Sequence, residues 1–119
     1  MVMLNEMKCT VCFEGDLPMD DLEIMSHHEQ VPQWALIQDG MMVKLQRIFS
    51  FDNFASALVF TNQLAQLAED EGHHPAILLE WGKVTVTWWT HKINGLHRND
   101  FVMASKTDQL LSEKQGAGG

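Results

Sequence analysis

The chain has 119 residues, 45% of them hydrophobic and 20% charged, and sixteen Asp and Glu against eight Lys and Arg give a net charge of -8. This fits one domain with a single core and argues against a disordered chain. The negative field argues against direct nucleic-acid binding, and no apolar run approaches the roughly 18 residues of a membrane helix. The start of the chain lacks a basic stretch followed by a hydrophobic block, so the expected compartment is the cytoplasm.

Residues 1–18 read as an irregular N-terminal segment closing on Gly15, Asp16 and Pro18. It holds both cysteines, Cys9 and Cys12, as CTVC. Two thiols in a loosely held segment is the plain reading, and half a zinc site completed by His27 and His28 is the other. A redox pair would need a helix start inside a βαβ unit, which nothing in the sequence predicts. Residues 19–113 read as one α+β domain and residues 114–119 as a flexible tail.

Met19, Leu22 and Met25 recur at helical spacing, with Asp20, Asp21 and Glu23 where a helix dipole favours negative charge, and Pro32 ends the run. His27 and His28 fall at the C-terminal end of this first helix, where a partly protonated imidazole is favourable on electrostatic grounds. Extended runs over 34–38 and 42–51 flank Asp39-Gly40, a hairpin signal because both residues tolerate positive φ. Asp52 is a candidate N-cap for a helix over 53–70, whose apolar face is Phe54, Ala57, Leu58, Thr61, Leu64, Ala65 and Ala68. Gly72 follows as a left-handed cap. Strands over 76–81 and 83–90 turn at Gly82, the second with Val84, Val86 and Trp88 on one face and Thr85, Thr87 and Trp89 on the other. Asn94-Gly95 leads to a last helix from about Asn99.

The expected architecture is therefore a four-stranded antiparallel sheet with helices packed on one face, in the order helix, strand, strand, helix, strand, strand, helix. Open edges, with Trp88 or Trp89 on an apolar face, favour a homo-dimer or homo-tetramer.

The chemistry concentrates in residues 69–100. Glu69 occupies the last turn of the long helix, His73 and His74 emerge directly after its cap, Pro75 stiffens the exit, His91 ends a strand and Asp100 opens the last helix. Imidazoles backed by carboxylates suit acid/base work at neutral pH. Adjacent histidines also suggest a metal, but consecutive side chains diverge and no third ligand stands at zinc-like spacing. A lone His91 is more often a satisfied core residue, and Asp100 serves equally as a first-turn carboxylate.

The run Glu69, His73-His74-Pro75, Trp81, His91, Asp100 resembles the signature of the pterin-4a-carbinolamine dehydratases. RIFSFDNFASALVFTNQLAQLAEDEGHHP and THKINGLHRNDFVMA are also similar to that family, over roughly residues 20 to 110. The Cys pair resembles that of some bacterial members, whereas His97 stands where many relatives carry Thr and is given no catalytic role. The resemblance implies dehydration of 4a-hydroxytetrahydrobiopterin, or a close relative, to the quinonoid dihydropterin. That places the enzyme, a hydro-lyase without metal or other cofactor, in recycling for an aromatic amino acid hydroxylase. It implies His73 and His91 as acid catalysts and His74 as a pterin-binding residue assisting proton removal, with Glu69 and Asp100 as orienting carboxylates. Pro75 and Trp81 line the pocket in this reading. A dimerisation or transcription-partner role on the same fold is the alternative.

Overall fold

The computed structural model describes residues 4–7 and 19–118. The elements after a 3-10 turn at Leu4–Glu6 are α1 (Asp21–His28), β1 (Ala35–Asp39), β2 (Met42–Ser50), α2 (Phe54–Glu71), β3 (Ala76–Glu80), β4 (Lys83–Trp88) and α3 (Arg98–Gly118), with a second 3-10 turn at His91–Ile93. The strands form one antiparallel sheet in the order β1-β2-β4-β3. This is the α+β architecture and element order that the sequence predicts.

Alternation in β2 and β4 puts Leu45, Phe49, Val84, Val86 and Trp88 on the face that meets the helices, all buried. Against them pack Ala57, Phe60, Leu64 and Ala68 of α2 and Phe101 to Ala104 of α3. Phe60 lies 4.8 Å from Phe49 and 5.3 Å from Phe51 between ring centroids, which joins α2 to β2. Trp34 closes the far side: its indole N–H donates to Asp108 of α3 at 2.8 Å, and Arg47 of β2 reaches the same carboxylate at 2.7 Å. Burial raises the Asp108 carboxyl above its ordinary value, outweighing the Trp34 and Arg47 contacts that pull the other way.

Several local expectations shift. In the first hairpin Asp39 pairs with Met42, so the two-residue turn is Gly40-Met41 rather than Asp39-Gly40. Gly40 alone takes positive φ (61°), the sign pattern of a II′ turn with glycine at its first central position. The cap of α2 is Asn53, whose side chain accepts from Ser56 N at 2.8 Å, and not Asp52. The buried face of α2 is rotated from the predicted one: Phe60 is in the core, whereas Phe54 and Leu58 are 43% and 39% exposed. In α1 the Leu22 and Met25 stripe faces outward at 77% and 63% exposure. That helix instead owes its start to a reciprocal capping box, Glu23 N on Asp20 Oδ1 at 2.9 Å and Asp20 N on Glu23 Oε1 at 3.4 Å. Trp88, expected on an open sheet face or beneath the helices, is fully buried beneath them.

Gly72 behaves as predicted. Its φ of 67° is left-handed, and Gly72 N on Glu69 O with His73 N on Ala68 O at 3.2 Å form a Schellman motif. The motif ties the backbone of His73 to the end of α2, so the direction in which the chain leaves the helix is fixed.

Candidate active site

His73 leaves α2 and lies flat against Trp88, ring centroids 5.5 Å apart and planes inclined by 8°. Its Nε2 is 2.7 Å from Asp100 Oδ1. Since the carboxylate accepts, the proton between them belongs to Nε2, and Nδ1 is the nitrogen left for exchange. Trp88 offers its π face to the imidazole and holds the ring plane parallel to its own. The pair is largely shielded, with side-chain exposures of 15% for His73 and 0% for Asp100.

Asp100 is the third residue of α3 and receives two further donors on Oδ2: Thr90 Oγ1 at 2.8 Å and the backbone N of His97 at 2.9 Å. His97 Nδ1 accepts from Asn99 N at 3.0 Å while Asp100 Oδ2 takes the His97 N–H, so the two side chains together cap the start of α3. One carboxylate therefore both starts α3 and holds His73. The two readings of Asp100 open in the sequence are both true of the same side chain. His97 acts as a helix cap.

His74 turns outward from the same helix end and its Nε2 meets Glu69 Oε1 at 2.6 Å, with side-chain exposures of 59% and 71%. His91, also exposed, opens the second 3-10 turn and leans on Trp89 at 4.6 Å between centroids with a 55° tilt. It follows Thr90 directly, so the segment carrying His91 is joined to Asp100 and through it to His73. Lys44 sits over the other aromatic system of this corner, its Nζ 4.0 Å from the Trp89 ring centre.

A cavity of about 390 Å³ opens beside Trp89 on the sheet face away from the helices. Ile37, Lys44, Gln46, Ala76 and Thr87 also line it, and Ala76 is the residue after Pro75. None of the three histidines is among its walls; Trp89 and Ala76 are the links to them.

The structure thus brings together His73, Asp100 and the turn bearing His91, and separately His74 with Glu69. Trp81 lies elsewhere. It is 69% exposed at the tip of the β3-β4 hairpin, five residues and about 17 Å of strand beyond Ala76. Sequence reasoning missed Thr90 as the partner of Asp100, Trp88 as the platform under His73 and Trp89 as the neighbour of His91. A run of two tryptophans and Thr directly before His91 was the available signal. His27 and His28 are occupied structurally: His27 packs 5.5 Å from Phe101, and His28 Nε2 bonds the Trp34 carbonyl at 2.6 Å. Among the described residues no group of three or more His, Cys, Asp or Glu is arranged to hold a metal ion. Cys9 and Cys12 lie outside the described residues. Nor is any described helix long and apolar enough to cross a membrane.

The family model for pterin 4 alpha carbinolamine dehydratase matches residues 17–110. A protein of Nitrosococcus oceani provisionally named as a pterin-4-alpha-carbinolamine dehydratase is 56% identical over 108 residues, covering 91% of this chain and 96% of its own. One of Marinobacter nauticus with the same provisional name is 53% identical over 110 residues, covering 92% and 99%. Among solved structures, a transcriptional coactivator/pterin dehydratase from Brucella melitensis superposes with a TM-score of 0.71 at 30% identity, over 78% of this chain and 97% of that one. A pterin dehydratase-like protein identified as a RuBisCO assembly factor in the alpha-carboxysome gives 0.57 at 26% identity, over 71% and 92%. The chain belongs to the pterin 4 alpha carbinolamine dehydratase family.

Proposed function

We propose that the protein dehydrates 4a-hydroxytetrahydropterins to the quinonoid dihydropterin, using histidines as its acid and base. The observation that carries this reading is His73, stacked on Trp88 and bonded through Nε2 to the buried Asp100. Dehydration removes a hydroxyl from C4a and a proton from N5, so it needs a proton donor at the leaving oxygen and an acceptor at the nitrogen. In this mechanism His73 gives a proton from Nδ1 while Asp100 holds the ring through Nε2 and Trp88 fixes its plane. His91 shares that role at the same leaving oxygen, one proton being delivered per turnover. His74, steadied by Glu69, binds the ring and takes up the N5 proton. Water is the product of the first transfer, and no electron leaves the ring system.

Regeneration of the cofactor of an aromatic amino acid hydroxylase is the setting in which the reaction would serve. Self-association has support of its own: Phe54, Leu58 and Val59 of α2 are 43%, 39% and 47% exposed, apolar surface that a second copy would cover.

The test follows decay of freshly generated carbinolamine with the wild type and with His73→Ala, His74→Ala and His91→Ala. Faster decay with the wild type than with buffer, impaired in each variant, is the expected result. Equal decay in all four proteins and in buffer would remove the dehydratase reading. Full activity in the His73 variant alone would remove the assignment of His73.

A further inference from the structure

Asp100 gives Oδ1 to His73 and Oδ2 to two donors, so what holds Oδ2 decides where Oδ1 points. One of those donors, the backbone N of His97, is fixed by the cap of α3. The other is the Thr90 hydroxyl at 2.8 Å, in a residue only 4% exposed. Thr90 is itself anchored: its N donates to Gly95 O at 2.9 Å, Gly95 N returns to Thr90 O at 3.4 Å, and the intervening Asn94 takes the left-handed φ of 52° that closes the turn. The Thr90 hydroxyl is thus a rigidly placed donor on the strand that delivers His91, aimed at the carboxylate that holds His73.

We propose that Thr90 is a positioning residue acting through Asp100: its hydroxyl locks the carboxylate so that His73 keeps its proton on Nε2 and its Nδ1 free for exchange. The assignment rests on the catalytic role proposed for His73, but the positioning itself can be read without activity. With the hydroxyl gone, Oδ2 keeps a single donor, the carboxylate gains freedom to turn about Cβ–Cγ, and His73 loses the partner that selects its tautomer.

The experiment records nitrogen and proton correlations of the His73 ring in the wild type, Thr90→Val and Thr90→Ser, above the pH of imidazole titration, beside steady-state carbinolamine decay. The wild type is expected to show one tautomer with Nδ1 unprotonated. In Thr90→Val the ring nitrogens should shift towards a mixture of tautomers, with kcat lower by about tenfold and KM within about twofold of the wild type. Thr90→Ser, which keeps the hydroxyl, should restore both. If Thr90→Val does not fold, Thr90→Ala supplies the same comparison without a methyl group pressed against the carboxylate. Unchanged His73 nitrogen signals in the hydroxyl-free variant, or a Ser variant as perturbed as the Val one, overturn the proposal. Shifted signals with an undiminished rate uphold the positioning by Thr90 and instead remove His73 from the chemistry.

Discussion

Two imidazoles leave the same helix end, each meeting a carboxylate, and the two pairs differ chiefly in their surroundings. His73 meets Asp100 at 2.7 Å and His74 meets Glu69 at 2.6 Å. The first pair is sheltered under Trp88 and the start of α3; the second stands mostly in water. A Coulombic contact at the same distance weakens several-fold when solvent screens it, and two exposed side chains also lose rotamer freedom to hold one geometry. The distance between an imidazole and a carboxylate therefore says little about what the pair contributes. Burial and the number of other donors on the carboxylate decide it, and on both counts Asp100 is the stronger anchor.

The sharpest break in this comparison is His73→Ala, expected to lower kcat/KM by about a hundredfold or more, since a positioned acid or base contributes that much. Loss of less than tenfold in the carbinolamine assay would put the main burden on another histidine. Next comes Asp100→Ala, which leaves three donors facing a buried gap. Unpaired buried groups cost about 1–3 kcal/mol each, so the urea midpoint should fall markedly along with activity. By contrast Glu69→Gln should change stability by less than about 0.5 kcal/mol, and a large loss would mean that the exposed pair is more constrained than its exposure implies. Between these lies Gly72→Ala. No atom lies within 4 Å of the added Cβ, so the cost is backbone strain alone at φ of 67°, about 1–2 kcal/mol. Any accompanying change in kcat would report how much the Schellman turn aims His73.

The smallest expected effect concerns the carboxylate outside the site. Burial raises Asp108 above its ordinary 3.8, so the native state retains this proton to a higher pH than the unfolded chain. The contribution of Asp108 to stability is thus fully present below that ordinary value and is lost as pH rises through the native one. Relative to Asp108→Asn, the wild type should lose stability as pH rises above the ordinary carboxylate value in urea titrations. A gain over that rise would show that Arg47 and Trp34 outweigh the desolvation.

Much of the fold was legible because its signals are local. The alternation of Val84, Val86 and Trp88, the left-handed cap at Gly72 and the helix-to-His73 exit all follow from a few adjacent residues. Expectations slipped where one residue of register mattered, as with Gly40-Met41 and Asn53, or where an amphipathic stripe had no way to announce its partner. Leu22 and Met25 have helical spacing, yet the cap starts α1 and the stripe faces outward. Likewise Phe60, not Phe54 or Leu58, fills the gap between α2 and the rings of β2.

For the site, the chain alone supplied the imidazoles, the carboxylates and the stiff turn that presents two of them, since spacing along one helix end and one strand end is written in consecutive residues. Which carboxylate serves which ring was settled by packing: Asp100 lies 27 residues from His73 and 10 from Thr90, and reaches both only because α3 lies against β4 and the end of α2. Water exclusion is likewise a property of the assembled layers. No single stretch of sequence carries it, and it is what separates a buried anchor from a pair of charges that merely touch.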